Sequence, residues 1–312
     1  MKQRMVLTAL IMALFFVLNS HAQQGDFQVF KGPYLGQKPP GTTPEVFAPG
    51  IVSTSDHEFS CCFSPDGNEF YFTRRCGDPE TAKIMMTRKT KDGWTVPEVA
   101  PFSGRHYDFE PHVSPDGSKM FFNRHDPSDT TIYDGIWVMR RIADGWGEPT
   151  YVGPGMYATA TLDGSIYLTD RSRPVEKQGI VKTRLIDNRF AEFEWQEGGV
   201  NSPRADRKAG RHPYIAPDES FIIFDSYKKG TGDTGRLFVC FRKKDGSWSK
   251  AIDLGEEINF APIICASLSP DGEYLFFGSN GGIPGHKGDI YWVSAKIIDE
   301  LREKALDAEE DK

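Results

Sequence analysis

The chain has 312 residues, 38% of them hydrophobic, and a formal net charge of −7. That apolar share supplies a large core, and one domain suffices because all-β folds run long. The acidic balance excludes a general nucleic-acid binder.

The chain opens with Lys2 and Arg4, an apolar run from Val6 to Leu18, and small residues at Ser20 and Ala22. This order predicts a secretory signal peptide over residues 1–22, cleaved near Ala22, and a periplasmic or secreted mature protein. The run is too short for a comfortable membrane span. No other segment is apolar enough to cross a bilayer, and no Cys follows the run to carry a lipid. The cysteines are Cys61, Cys62, Cys76, Cys240 and Cys265. An odd set cannot pair completely within one chain, and adjacent Cys61 and Cys62 make a poor bridge. They are expected as small buried side chains.

Beyond the leader the chain repeats itself. FSPDGNEFYFTR begins at Phe63, VSPDGSKMFFNR at Val113, ATLDGSIYLTDR at Ala160, IAPDESFIIFDS at Ile215 and LSPDGEYLFFGS at Leu268. The turn aspartates Asp66, Asp116, Asp163, Asp218 and Asp271 recur about every 50 residues, a spacing that holds four strands. In each unit a short strand runs into a Pro-Asp-Gly turn, where Pro presets φ and Gly accepts positive φ. An aromatic strand follows, then a third strand, then an Asp-Gly turn opening a fourth. Four antiparallel strands per unit, arranged radially, predict an all-β, five-bladed β-propeller over residues 23–298. The units fall at about 57–105, 106–155, 156–206, 207–259 and 260–298. The last lacks a fourth strand. Pro44-Glu45-Val46-Phe47-Ala48-Pro49 resembles Pro97-Glu98-Val99-Ala100-Pro101, the fourth strand of the first unit. Residues 44–53 are therefore expected to complete the last blade and close the ring, which removes open sheet edges. The charged tail 299–312 is expected to form a short surface helix.

The recurring SPDG followed by an aromatic strand resembles the WD40-like (PD40) repeat of TolB-type proteins over nearly the whole mature chain. The resemblance implies an exported propeller with a ligand site at its central channel. The fold is also distantly similar to that of oligogalacturonate-lyase propellers. That similarity implies a lyase or dehydratase acting on uronate-containing sugars, with a metal held mainly by histidines.

Alternation along the strand before each turn sorts its side chains into two sets. Phe59, Cys61, Phe63 and their equivalents are apolar and are expected between blades. The other set contains Glu58, Asp108, Glu110, His112, Tyr157 and His212, and is expected to line the channel, since unpaired polar groups are costly between sheets. Arg74, Arg124 and Arg171 stand nine residues after the repeat's Pro position, and Arg204, Arg207, Lys208 and Arg211 precede the fourth inner strand. Such a basic cluster suits a carboxylate ligand. His212 and Tyr157 are the candidate catalytic acid and base. Arg74, Arg124, Arg171, Arg211, Glu110, Asp108, Glu58 and His112 are candidate substrate contacts for an anionic oligosaccharide. A divalent metal is compatible, though no compact histidine motif supports one. Other roles stand beside these. The arginines could pair with Glu58, Asp108 and Glu110 as a structural ring. The carboxylates could serve a five-bladed glycoside hydrolase. The channel could bind an envelope component or sugar without catalysis.

Overall fold

The computed structural model describes residues 30–77, 81–125, 135–201, 209–227 and 235–310. The expected leader, Arg204, Arg207 and Lys208 lie outside the described residues. Five antiparallel sheets stand side by side as blades. From the inside outward, the first comprises His57–Phe63, Glu69–Cys76, Thr81–Thr90 and Glu98–Val99. The second comprises Tyr107–Val113, Lys119–His125, Gly135–Ile142 and Thr150–Gly153. The third comprises Met156–Ala160, Ile166–Thr169, Ile180–Thr183 and Glu194–Trp195. The fourth comprises Arg211–Ile215, Phe221–Tyr227, Gly235–Phe241 and Ile252–Asp253. The fifth has Ile263–Leu268, Tyr274–Ser279 and Asp289–Ser294. Each inner strand touches both neighbouring inner strands, the fifth returning to the first.

The missing outer strand comes from the N-terminus, as the repeat of Glu-Val-Phe/Ala-Pro predicts. Glu45 lies opposite Trp292 and Val46 opposite Tyr291. Phe47, fully buried, then meets Phe276 and Trp292 of the fifth blade and Phe70 of the first in edge-to-face contacts. Large aromatic side chains between twisted sheets each bury about 150–250 Å². In the first two blades the strand after Asp-Gly is split. Gly93–Trp94 and Gly145–Trp146 are short hairpin returns, and the outer strand resumes at Glu98 and Thr150. Pro97 and Pro149 stand at the breaks, where no ladder N–H is available.

The repeated turn is held by one device. Ser64 donates to Asp66 at 2.5 Å, and Asp66 accepts the Asn68 N–H at 3.1 Å. The hydroxyl-to-aspartate bond recurs from Ser114 to Asp116, Thr161 to Asp163 and Ser269 to Asp271. In the fourth blade Ala216 replaces the hydroxyl residue, and Asp218 retains the Ser220 N–H. Partial burial opposes ionisation of Asp116, but the hydroxyl and amide donors outweigh it and bring its pKa down to about 2. A carboxyl whose folded pKa lies below its unfolded value stabilises above the unfolded pKa and loses that stabilisation as pH falls through the folded one. The melting temperature is therefore expected to fall between about pH 4 and pH 2. Asp116→Asn should flatten part of that dependence in circular-dichroism melts; an unchanged slope would remove Asp116 from the account.

The C-terminal helix, Lys296–Glu310, begins earlier than the tail pattern suggests. Ile298 is buried, and the Arg302 guanidinium lies over the rings of Phe221 and Phe241. All five cysteines are free thiols, four buried and Cys76 half-buried. Among the described residues no helix is long and apolar enough to cross a membrane.

Candidate functional site

The inner strands do not alternate without interruption, and this corrects the simple reading of their faces. Ser60, Glu110, Tyr157, His212 and Cys265 all have left-handed φ, between 44° and 57°. Each stands five residues before its repeat's Pro position. At each of them the inner strand gains one residue on its neighbour: Phe59 pairs with Thr73 but Cys61 with Phe72, and Phe109 with Asn123 but His112 with Phe121. The same slip occurs in the other three blades. An extra residue inverts alternation beyond it.

A left-handed non-glycine residue costs about 1–3 kcal/mol unless its surroundings hold it. Four of these five are held by a side chain from the preceding blade. The Glu110 N–H donates to Thr73 Oγ1 (2.9 Å), the Tyr157 N–H to Asn123 Oδ1 (3.0 Å) and the His212 N–H to Thr169 Oγ1 (3.1 Å). The Cys265 N–H donates to Asp225 Oδ1 (3.3 Å).

The five bulge positions form a ring around the propeller axis, here called the hub. His212 Nδ1 lies 2.6 Å from Asp225 Oδ1, and its Nε2 lies 3.5 Å from Glu110 Oε1. Cys265 Sγ lies 3.8 Å from Glu110 Oε1. The Tyr157 ring meets the His212 ring edge-on, with centroids 5.6 Å apart, and its hydroxyl donates to the Ala266 carbonyl at 2.6 Å. His212 is 6% exposed and Glu110 4%. Burial pulls the His212 pKa down, but Asp225 and then Glu110 more than reverse this and hold it above the ordinary range. Burial, with Cys265 and other nearby acids, pushes the Tyr157 phenol well up. The Cys265 thiol is raised by burial, Glu110 and Asp225, while Arg75 and Arg211 oppose that rise.

Away from the SPDG turns, Phe59, Phe109, Met156 and Ile264 form an apolar collar above the hub. They come from four different blades and cluster with Tyr157 and Cys265, a meeting that only the axis allows. Three guanidiniums surround this mouth. Arg75 lies 4.5 Å from the Phe59 ring centroid, Arg171 Nη1 is 3.4 Å from Met156 Sδ, and Arg211 donates to the Tyr227 hydroxyl at 3.2 Å. Among the described residues, none of the three is paired with a carboxylate, and the buried Arg75 Nε has no hydrogen-bond partner. The turn of the third blade is one residue shorter: Ser64 N–H reaches Glu69, but Thr161 N–H reaches Ser165. Arg171 therefore matches Arg75, rather than Arg74 and Arg124 as counting from the Pro position suggests.

The remaining sequence candidates lie elsewhere. Arg74 pairs with Glu58 and Arg124 with Asp108, each at 2.6 Å, and both carboxylates are fully buried. Arg124 also donates to the Phe102 carbonyl, and Arg74 to that of Val52. This is the structural pairing among the alternative roles, except that Glu110 belongs to the hub. His112 lies on the turn side of the bulge, where its Nε2 accepts the Ala160 N–H at 3.0 Å. Burial lowers its pKa to about 3, so it is neutral. It faces the opposite mouth, a cavity of about 590 Å³ also lined by Tyr214, Ser267 and Arg302. The histidine-held metal implied by the lyase resemblance does not fit. His212 turns its Nε2 toward Glu110 within the hub, whereas His112 lies on the turn side and its Nε2 lone pair is already taken by the Ala160 N–H.

The structure places Asp225 and Arg75 beside these candidates, together with Cys265 of the same inner-strand set. Asp225 had a sequence signal: it is the acidic residue where the first two blades carry Thr73 and Asn123. Arg75 becomes visible once the third turn is aligned one residue shorter.

Bulged inner strands, a polar hub and a cationic mouth define a five-bladed β-propeller with an axial site. Neither a protein-family model nor a curated protein matches the sequence. Solved structures match its fold. Bacteroides ovatus Xyloglucan PUL GH43B is 13% identical with a TM-score of 0.51, covering 78% of this chain and 53% of that one. A GH43_12 retrieved from capybara gut metagenome is 12% identical with a TM-score of 0.51, covering 85% and 55%. A putative TolB from Agrobacterium tumefaciens is 16% identical with a TM-score of 0.46, covering 75% and 73%. The chain spans about half the length of the two GH43 structures. At these identities the likeness is one of fold.

Proposed function

We propose that this propeller is exported, binds uronate-containing oligosaccharides at the arginine-lined mouth, and eliminates across the C4–O bond at the hub. The observation that carries this reading is the convergence of Arg75, Arg171 and Arg211, without carboxylate partners among the described residues, above Glu110 and His212. Removing the proton next to a carboxylate builds a second negative charge, which fixed cations stabilise. The C5 proton passes to a base, its electron pair forms the C4–C5 double bond, and the C4 oxygen leaves with a proton from an acid. If that oxygen carries a sugar the reaction is a lyase; if it is a terminal hydroxyl, water leaves.

His212 and Glu110 are the proton-transfer groups in this reading. Tyr157, with its hydroxyl given to Ala266, shapes the floor beside them. The collar of Phe59, Phe109, Met156 and Ile264 offers apolar faces to a sugar ring. Hydrolysis is supported less well. It needs two carboxylates flanking the bond, whereas Glu110 and Asp225 both face the same imidazole.

Incubation with uronate oligosaccharides should produce the ultraviolet band of a conjugated unsaturated uronate. New reducing ends without that band would establish hydrolysis instead, and binding without product would leave a sugar-binding propeller. Arg171→Gln and Arg211→Gln should each weaken oligosaccharide binding by about tenfold or more, the loss of one charge-assisted hydrogen bond. Unchanged affinity in both, measured calorimetrically, would take the ligand away from this mouth.

A further inference from the structure

The hub also gathers three metal-ligating side chain types at one point. Glu110, His212 and Cys265 offer a carboxylate oxygen, an imidazole nitrogen and a sulfur that all lie within 4.8 Å of one another, and all three residues are buried. They come from the same bulge position of the second, fourth and fifth blades, so one backbone device aims all three at one point. We propose that these three side chains form a binding site for one thiophilic divalent cation of the zinc type.

Four features support it. The donor set is the mixture of Cys, His and carboxylate that zinc takes, at distances of about 2.0–2.3 Å, which needs only a modest contraction of the trio. Asp225 holds His212 by Nδ1 at 2.6 Å, directing Nε2 toward Glu110 and Cys265; a carboxylate behind a ligating imidazole is the usual support of such a site. The Ser60 hydroxyl, at the first blade's bulge position, is buried with no hydrogen-bond partner among the described residues. Sulfur disfavours calcium and magnesium, which take oxygen. Three protein ligands leave a fourth position for water or substrate. Cys265 would bind as thiolate, its proton leaving to solvent. An ion on Nε2 occupies the lone pair that proton transfer uses, so loading the hub and using His212 as a proton carrier are alternative states of one residue.

The test uses the full mature chain, stripped with chelator and loaded with Co²⁺ or Zn²⁺ in the absence of sugar, so that its outcome is separate from that of the oligosaccharide assay. One Zn²⁺ per chain should be retained after gel filtration. The cobalt form should show a near-ultraviolet thiolate charge-transfer band. Cys265→Ser, with its metal-free melting temperature as a folding control, should abolish the band. Asp225→Asn should keep the band and weaken affinity by about 10–100-fold. No stoichiometric ion, no band in the parent protein, or a band that survives Cys265→Ser would each overturn the site.

Discussion

Phe47→Ala should destabilise the propeller by about 3–5 kcal/mol, the range for truncating a buried phenylalanine. Phe47 has no exposed surface and touches rings on both sides of the closing seam: Phe70 in the first blade, Phe276 and Trp292 in the fifth. The strand before it contributes only Glu45 and Val46 to the ladder. So short a pairing is marginal by itself, and the aromatic anchor decides whether the ring stays closed. Urea denaturation should show a lower midpoint. Proteolysis of the native protein should begin near the N-terminal segment, since local opening follows local stability. An unfolding free energy within about 0.5 kcal/mol of the parent, the usual range for uncritical surface changes, would show that closure rests elsewhere.

Asp108→Ala should cost a similar about 3–5 kcal/mol, because it leaves the buried Arg124 guanidinium without its counter-charge. Arg124 is 8% exposed at the side chain and Asp108 fully buried, so solvent cannot replace the lost partner. Replacing both, as Asp108→Leu with Arg124→Met, should recover much of the loss, since a buried pair exchanged for apolar groups of similar size is often neutral. The comparison also separates structure from recognition. If the double variant folds and still binds acidic oligosaccharide, Arg124 is a clamp between strands; if it folds and binding is lost, Arg124 contacts the ligand despite its pairing.

How far the site was legible depends on which interactions place each residue. His212, Tyr157 and Glu110 were found because a polar residue in an otherwise apolar inner strand must face either a partner or the channel. Glu58 and Asp108 obey the same rule, but their partners are Arg74 and Arg124 within the sheet. Strand alternation could not separate the two cases, because the bulge at Ser60, Glu110, Tyr157, His212 and Cys265 changes parity between them. Nothing in twelve repeated residues announces a left-handed φ at a serine, a tyrosine or a histidine. Arg171 was placed in the wrong set by a turn that is one residue shorter, an error that only hydrogen-bond register exposes.

The amino-acid sequence alone determined the blade count, the turn chemistry and the ring closure, because these follow from local signals: Pro-Asp-Gly turns, aromatic strands, and a fourth strand found at the opposite end of the chain. Which side chains meet at the axis was decided only in the folded ring. There the bulge amides of Glu110, Tyr157, His212 and Cys265 are satisfied by Thr73, Asn123, Thr169 and Asp225 of the preceding blades. Those bonds hold a strained backbone in place across blades, and that strain turns three donor side chains from separate strands toward one point.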